Sequence, residues 1–371
     1  MSAPTAAITA ARAAGAVAAR HAAEADAGRR LHVDVVAALA DAGFARRFVP
    51  AHLGGEPVTF AELTEAVAAV GEGCASAAWV ASLTAHVGRF ATYLPLEGQE
   101  EVWEKGPDTR LVAAVVPQGT TERVDGGWRI SGTWNFLSGV EFCDWALLLG
   151  PAAPGGRPTG QERFFVVRRD DFVIEDTWNT LGMRATGSHS VRVDEAFVPD
   201  HRTFRQADLF EGRRSEAAGG ARDGLPGDGL PIFAVNGLTF AAPVLGAARG
   251  ALALAGQSLG GTDGRPPARD AYRTAFALSA GEIDAAGLLL QRVAATADLG
   301  GVTPELVTRA RRDSALATRM LAGAVDRLFK GNGVRSTATG APLQRYWRDV
   351  TSAATHGVLQ FEPAALEFTK R

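Results

Sequence analysis

Four groups of residues in this 371-residue chain have the types and spacing to do chemistry. The first is Phe136-Leu137-Ser138-Gly139. Side chains alternate along a strand, so Phe136 and Ser138 share a face, which then offers an aromatic wall beside a hydroxyl. The second runs from Trp178 to Ser188, where an indole is followed by Leu181-Gly182-Met183-Arg184 and the hydroxyls of Thr186 and Ser188. The third is Trp79, His86 and Phe90, at i, i+7 and i+11 on one helical face. Aromatic groups around one titratable imidazole suit an aromatic or polycyclic ligand, and histidine exchanges protons near neutral pH. The fourth is C-terminal: a Gly-rich turn from Gly331 to Arg335, then Arg345-Tyr346-Trp347-Arg348-Asp349, then His356. The planar, permanently charged fork of Arg335 suits a phosphate. Gln118 stands just after a strand-like run, in Pro117-Gln118-Gly119.

Other chemistries find no pattern. Gly71-Glu72-Gly73 lies between helical segments without a third glycine, which argues against a dinucleotide-binding βαβ unit. There is no Gly-x-Ser-x-Gly elbow. The remaining histidines, His21, His32, His52, His189 and His201, read as scattered, and no metal site is expected. Cys74 and Cys143 are too few and too far apart for a disulfide framework, so a reducing cytoplasm is the expected setting.

These groups need elements to hold them. Leu31, Val35, Leu39 and Ala42 mark a helix face that Gly43 ends. Val58 to Leu63 reads as a helix start, with Thr59 as cap, Glu62 completing a capping box, and Val58 with Leu63 as a staple. Leu63, Ala66, Val67 and Val70 mark its buried face. The period then changes. Residues 110–117, 145–149, 163–167 and 190–193 are strand-like, and Asp125-Gly126-Gly127 is a hairpin turn. Residues 154–160 read as a loop, and the aperiodic stretch from Phe210 to Pro231 as a connector. Helical spacing returns after that, with Thr303-Pro304-Glu305 as a helix start. The segregated order predicts an α+β fold: helical residues 1–107, a β-domain over 108–209, a connector over 210–230 and a helical bundle over 231–371.

Composition sets outer limits. The length exceeds one typical core. Hydrophobic residues make up 46% and charged residues 21% of the chain. A net charge of −3 gives no basic surface for nucleic acid. Residues 1–30 lack the continuous apolar core of a signal peptide, and no run of about 20 apolar residues is expected to span a membrane.

Two stretches carry a family resemblance: Trp128-Arg129-Ile130-Ser131-Gly132-Thr133-Trp134-Asn135-Phe136-Leu137-Ser138-Gly139, and Leu181 through Pro199. They resemble the central β-domain of the acyl-CoA dehydrogenase superfamily, most of all its oxygenase branch, the two-component (group D) flavin-dependent monooxygenases. The resemblance covers essentially the whole chain and is weakest in the first 50 residues. It implies an N-terminal helical domain, a central β-barrel domain and a C-terminal four-helix bundle, usually assembled as a homotetramer. It also implies reduced FMN or FAD from a separate NAD(P)H:flavin reductase, molecular oxygen as co-substrate, and an aromatic or polyketide-like small molecule to be hydroxylated.

By the same resemblance, Ser138 lies beside flavin N5, and Phe136 and Trp178 pack near the ring. Thr186 or Ser188 lines the cofactor or substrate cavity, and Gln118 sits on a loop touching the flavin. Trp79, His86 and Phe90 face the substrate, with His86 deprotonating or orienting it. Where the dehydrogenase pattern would continue to Glu-Gly-Thr, this chain has Ala353-Ala354-Thr355-His356, as in the oxygenase branch. His356 then either stabilises a flavin C4a-hydroperoxide by hydrogen bonding or relays a proton to it. The rival readings are an acyl-CoA dehydrogenase-like enzyme or oxidase, with Glu282 as base, and a flavin-free binding protein on the same scaffold.

Overall fold

The computed structural model describes residues 5–151, 161–220, 227–259 and 270–370. It opens with helices α1 (Ala6–Gly28), α2 (Val33–Asp41), α3 (Phe60–Gly71), α4 (Ala75–Ala91) and α5 (Leu96–Val102). Helix α2 ends where the sequence predicts, with Gly43 in the left-handed region at φ 72°. Helix α3 starts at its expected cap, the Thr59 hydroxyl accepting the Glu62 N–H at 3.0 Å. The Glu62 carboxylate makes no bond back to the Thr59 N–H among the described residues, so the expected capping box is not completed, and the next two donors are capped by a different element. The Asp298 carboxylate accepts the Phe60 and Ala61 N–H groups at 2.6 and 3.0 Å. A carboxylate reaching across from the bundle satisfies two orphan donors at once, so the cap also ties two parts of the molecule together.

Eight strands follow among the described residues: β1 (Leu111–Ala114), β2 (Thr120–Val124), β3 (Gly127–Leu137), β4 (Trp145–Gly150), β5 (Arg163–Arg168), β6 (Val173–Glu175), β7 (His189–Pro199) and β8 (Thr203–Arg205). They form two four-stranded sheets, in the orders β1-β4-β5-β8 and β2-β3-β7-β6. The apolar faces of the two sheets meet around Trp134, Ile130, Leu148, Phe165 and Val191. β1 is shorter than expected. Val115 and Val116 leave the sheet and are exposed, because the Pro117 they lead into has no N–H for a ladder. β3 and β7 pair over most of their length, with a bulge between Trp134 and Leu137. Bulges re-aim side chains, and this one falls at Phe136.

The last third holds α6 (Gln206–Glu211), α7 (Asn236–Gly256), α8 (Asp270–Leu299), α9 (Pro304–Gly331), α10 (Pro342–Ala353) and α11 (Phe361–Phe368). Helix α9 begins as predicted, Thr303 capping the Leu306 N–H with Pro304 at the first turn. The expected aperiodic connector is interrupted by the end of α6 and by a short helical turn at Glu216–Ala218. Its residues 221–226 and the predicted loop 154–160 lie outside the described residues.

One expectation is corrected here. The segment Ile232–Gly256 is long and apolar enough to cross a membrane by length and composition. Most of it is buried inside the protein, because α7 is the central helix of the bundle and packs on α3, α4, α8, α9 and α10. Small residues allow that packing: a Cβ added at Gly246 would stand 2.1 Å from the Ala68 carbonyl oxygen.

Candidate active site at the seam of the sheets and helices

Ser138 lies in the turn that ends β3, held there by the Gly139 N–H donating to the Thr186 carbonyl at 2.8 Å. Its hydroxyl belongs to a continuous chain. Trp79 Nε1 donates to Ser138 Oγ at 3.2 Å, Ser138 and Ser188 are 2.7 Å apart, and Ser188 and Thr186 are 2.6 Å apart. Thr186 Oγ1 donates to the Met183 carbonyl at 2.8 Å. This last contact sets the direction of the rest. A hydroxyl has one proton, so Thr186 can only accept from Ser188, and Ser188 only from Ser138. Ser138 therefore gives its proton inward and accepts from Trp79, which leaves one lone pair to receive a hydrogen from a ligand.

The Met183 carbonyl also accepts Trp178 Nε1 at 2.9 Å, so both tryptophans end on this chain. Met183 itself is in the left-handed region at φ 54°, a costly backbone for a non-glycine residue. Its N–H donates to the buried Asp349 carboxylate at 2.6 Å. Next to it, Arg348 donates to the Leu181 carbonyl at 2.6 Å and pairs with Asp26 at 2.6 Å. Gly182 lets the loop touch α10, where an added Cβ would sit 2.1 Å from the Arg348 carbonyl oxygen. The Arg348-Asp349 pair thus clamps the Leu181-Gly182-Met183 loop. Burial pushes the Asp349 carboxyl up to about 6, against the Met183 N–H, which favours the charged form.

Phe136 stands on the rim at φ 67°, 72% exposed, with its ring edge-on to Trp178 at 6.1 Å. A large aromatic held out of the core in a strained backbone offers a flat surface for a planar ring. Strand alternation does not relate Phe136 to Ser138 as expected, because Phe136 sits at the bulge with a positive φ and Ser138 in the turn beyond the end of β3. Gln118 sits behind this rim, its Oε1 accepting the Asn135 N–H at 3.0 Å.

His356 closes the other side. It follows α10 and stacks on Phe240 at 3.8 Å, with Trp79 edge-on at 5.7 Å. Its Nδ1 accepts the Val358 N–H at 3.3 Å, so the ring proton is on Nε2. Burial lowers its pKa to about 4. At neutral pH His356 is therefore a neutral donor rather than a charged acid.

The structure brings together Trp79, Ser138, Thr186, Ser188, Trp178 and His356, with Phe136 on the rim. Both hydroxyls left as alternatives in the sequence, Thr186 and Ser188, belong to one chain. The structure does not bring His86, Phe90 and Arg335 to this cluster. His86 packs against Phe48 and Phe60 at 5.5 and 6.1 Å, and Phe90 against Phe164 at 6.3 Å. These residues share an azimuth with Trp79, but eleven residues of helix advance about 16 Å and meet different layers. Arg335 is exposed on the turn Gly333–Thr337.

Phe240 and the clamp residue Asp349 escaped the sequence reading as site residues. Phe240 has no distinguishing neighbours, whereas the Arg-Asp pair was visible as a motif. Glu282, the alternative base, is bound to Arg327 at 2.9 and 3.2 Å and is committed to that ion pair. Two histidines read as scattered do meet. His21 and His32 stack at 4.0 Å beside Glu24, because the α1–α2 elbow folds them onto one another.

The chain is similar to known proteins over most of its length. Residues 238–361 match the family model described as acyl-CoA dehydrogenase, C-terminal domain. Over 355 residues the chain is 32% identical to the flavin-dependent monooxygenase, oxygenase subunit HsaA, of Mycobacterium tuberculosis, covering 92% of this chain and 88% of that protein. It is 31% identical over 349 residues to the FADH2-dependent resorcinol hydroxylase, oxygenase component, of Rhizobium sp., covering 88% of this chain and 84% of that protein. The solved structure of XiaF from Streptomyces sp. in complex with FADH2 and glycerol superimposes with a TM-score of 0.89 at 29% identity, covering 98% of this chain and 93% of that one.

Proposed function

This chain belongs to the family of flavin-dependent monooxygenase oxygenase subunits, on the acyl-CoA dehydrogenase fold, and from that premise we propose how its own residues serve the reaction. The protein is the oxygenase component of a two-component system. A separate reductase supplies reduced FMN or FAD, and molecular oxygen is the co-substrate. Bound reduced flavin supplies the two electrons with which one oxygen atom enters an aromatic substrate and the other leaves as water.

The residues present fit such a group. Phe136, exposed beside Trp178, supplies an apolar wall for a fused ring system. The observation that carries the reading is the one-way hydroxyl chain ending at Ser138. Its remaining lone pair suits a ligand N–H, which reduced flavin has at N5 and oxidised flavin lacks. In our reading His356 donates from Nε2 toward the oxygen side of the site without changing charge, which favours hydrogen-bond stabilisation over proton relay. Trp79 and Phe240 exclude water around it, where hydrogen bonds are stronger. Gln118 holds the Asn135 backbone that leads into Phe136. Arg335 takes a phosphate of the cofactor. Of the α4 residues, Trp79 meets the substrate in this reading, because His86 and Phe90 pack in other layers. A homotetramer in the cytoplasm, drawing on a cellular NAD(P)H:flavin reductase, completes this reading.

Anaerobic titration with reduced FAD and reduced FMN tests it. The protein should bind at least one of them, and Phe136→Ala should weaken binding about tenfold through lost ring contact. No binding of either flavin would overturn the proposal.

A further inference from the structure

The aromatic wall has a second support, which comes from the first helix. Strand β6 stops pairing with β7 at Glu175, opposite Ser190. Residues 176–178 continue past the end of that ladder, so their main-chain groups need other partners. Side chains supply them. The Ser190 N–H donates to Thr177 Oγ1 at 3.0 Å, and the Trp178 N–H donates to His189 Nδ1 at 3.3 Å. The Trp178 carbonyl accepts Arg29 Nη1 at 3.0 Å. The same guanidinium holds both oxygens of Asp176, at 2.8 and 2.6 Å. One planar fork thus fixes a carboxylate and a carbonyl two residues apart.

Packing does not hold this segment. Asp176 and Thr177 are exposed, and a cavity of about 160 Å³ borders it, lined in part by Arg29, Glu141, Asp176 and His189. Hydrogen bonds therefore decide where the Trp178 main chain stands. Arg29 itself occupies a costly place. It ends α1 in the left-handed region, at φ 57°, where glycine is the unstrained residue. A strained arginine persists where surrounding bonds fix it, and here those bonds run to the loop that carries Trp178.

The support reaches both aromatics. Ser190 Oγ donates to Asn135 Oδ1 at 2.8 Å, so Ser190 can only accept from Thr177 Oγ1, 2.8 Å away. Asn135 leads into Phe136, whose ring stands edge-on to Trp178. We propose that Arg29 is a positioning residue for the reaction site: it sets the Trp178 main chain, and through it the angle between the two rings that receive the flavin. This rests on the monooxygenase reading for the presence of flavin at that wall, and it gives the first helix a part in cofactor binding.

The test uses the full-length protein and anaerobic titration with reduced FAD and reduced FMN. Arg29→Ala should weaken binding of the preferred flavin about fivefold to tenfold. Its unfolding temperature should stay within about 2 °C of the unsubstituted protein, because an ion pair open to solvent adds little to stability. Trp178→Ala removes the ring that Arg29 positions. In that background Arg29→Ala should cost less than about twofold, because two residues acting through one contact do not add. A purely structural arginine would cost the same in both backgrounds. Arg29→Gln repeats the cycle if Arg29→Ala does not fold. Unchanged affinity in the single variant, an equal loss in both backgrounds, or a loss matched by a fall in unfolding temperature overturns the assignment. The unsubstituted protein keeps the two ideas apart. If it binds reduced flavin and Arg29→Ala binds it equally well, only the positioning role falls; if it binds neither flavin, the monooxygenase reading falls and takes this role with it.

Discussion

Ser138 offers a ligand an acceptor and no proton, because Thr186 has already spent its own proton on the Met183 carbonyl. Oxidised and reduced flavin present opposite hydrogen-bond character at N5, so this direction selects for the reduced form. Ser188→Ala cuts the chain and frees the Ser138 proton to point outward. The ratio of affinities for reduced over oxidised flavin should then fall about threefold to tenfold, the value of one net hydrogen bond. Parallel anaerobic and aerobic titrations measure it, and an unchanged ratio would show that the chain does not set the preference. The sequence made the hydroxyls visible but left Thr186 and Ser188 as alternatives. Direction along a chain depends on which atoms touch, and spacing does not encode that.

At the scale of elements, α10 works as a clamp on the loop between β6 and β7. Asp349 holds the Met183 N–H and Arg348 holds the Leu181 carbonyl. The Met183 carbonyl, fixed in this way, anchors both Trp178 and Thr186. Asp349→Ala should cost about 1–3 kcal/mol by leaving a buried N–H unmet, and should weaken flavin binding at a distance. Asp349→Asn keeps an acceptor and should restore most of both. The pH dependence separates the two roles of the carboxyl. Its folded pKa, about 6, lies above the ordinary value of 3.8, so its contribution to stability is complete below pH 3.8 and lost as pH rises through 6. Asp349→Asn should remove that decline, which thermal unfolding between pH 4 and 7 will reveal. The Arg-x-x-Arg-Asp motif was legible in the chain, but its work became plain only when α10 was seen against a loop more than 160 residues away.

For the whole molecule, two buried histidines set the acid limit. Burial, aided by Arg89, lowers His86 to about 3, and burial lowers His356 to about 4. Both fall below the ordinary 6.5. Their contributions are therefore present above pH 6.5 and lost as pH falls through 4 and then 3, opposite in sign to Asp349. Together their shifts exceed that of Asp349, so the unfolding temperature should be lower at pH 5 than at pH 7. His86→Gln, neutral at every pH, should flatten that acid limb; an equally steep limb would show that His86 does not govern it. The amino-acid order by itself determined the block architecture, the caps at Thr59 and Thr303, the hairpin at Asp125-Gly126 and the aromatic and hydroxyl residues of the cofactor wall. Those follow from local periodicity, turn chemistry and short motifs. Only the tertiary structure decided that Trp79, Ser138, Ser188, Thr186, Phe240 and His356 meet while Phe90 turns to the sheets. It alone committed Glu282 to Arg327. Those outcomes depend on which distant elements pack against each turn of a helix, and a residue's own neighbours in the chain carry no record of that.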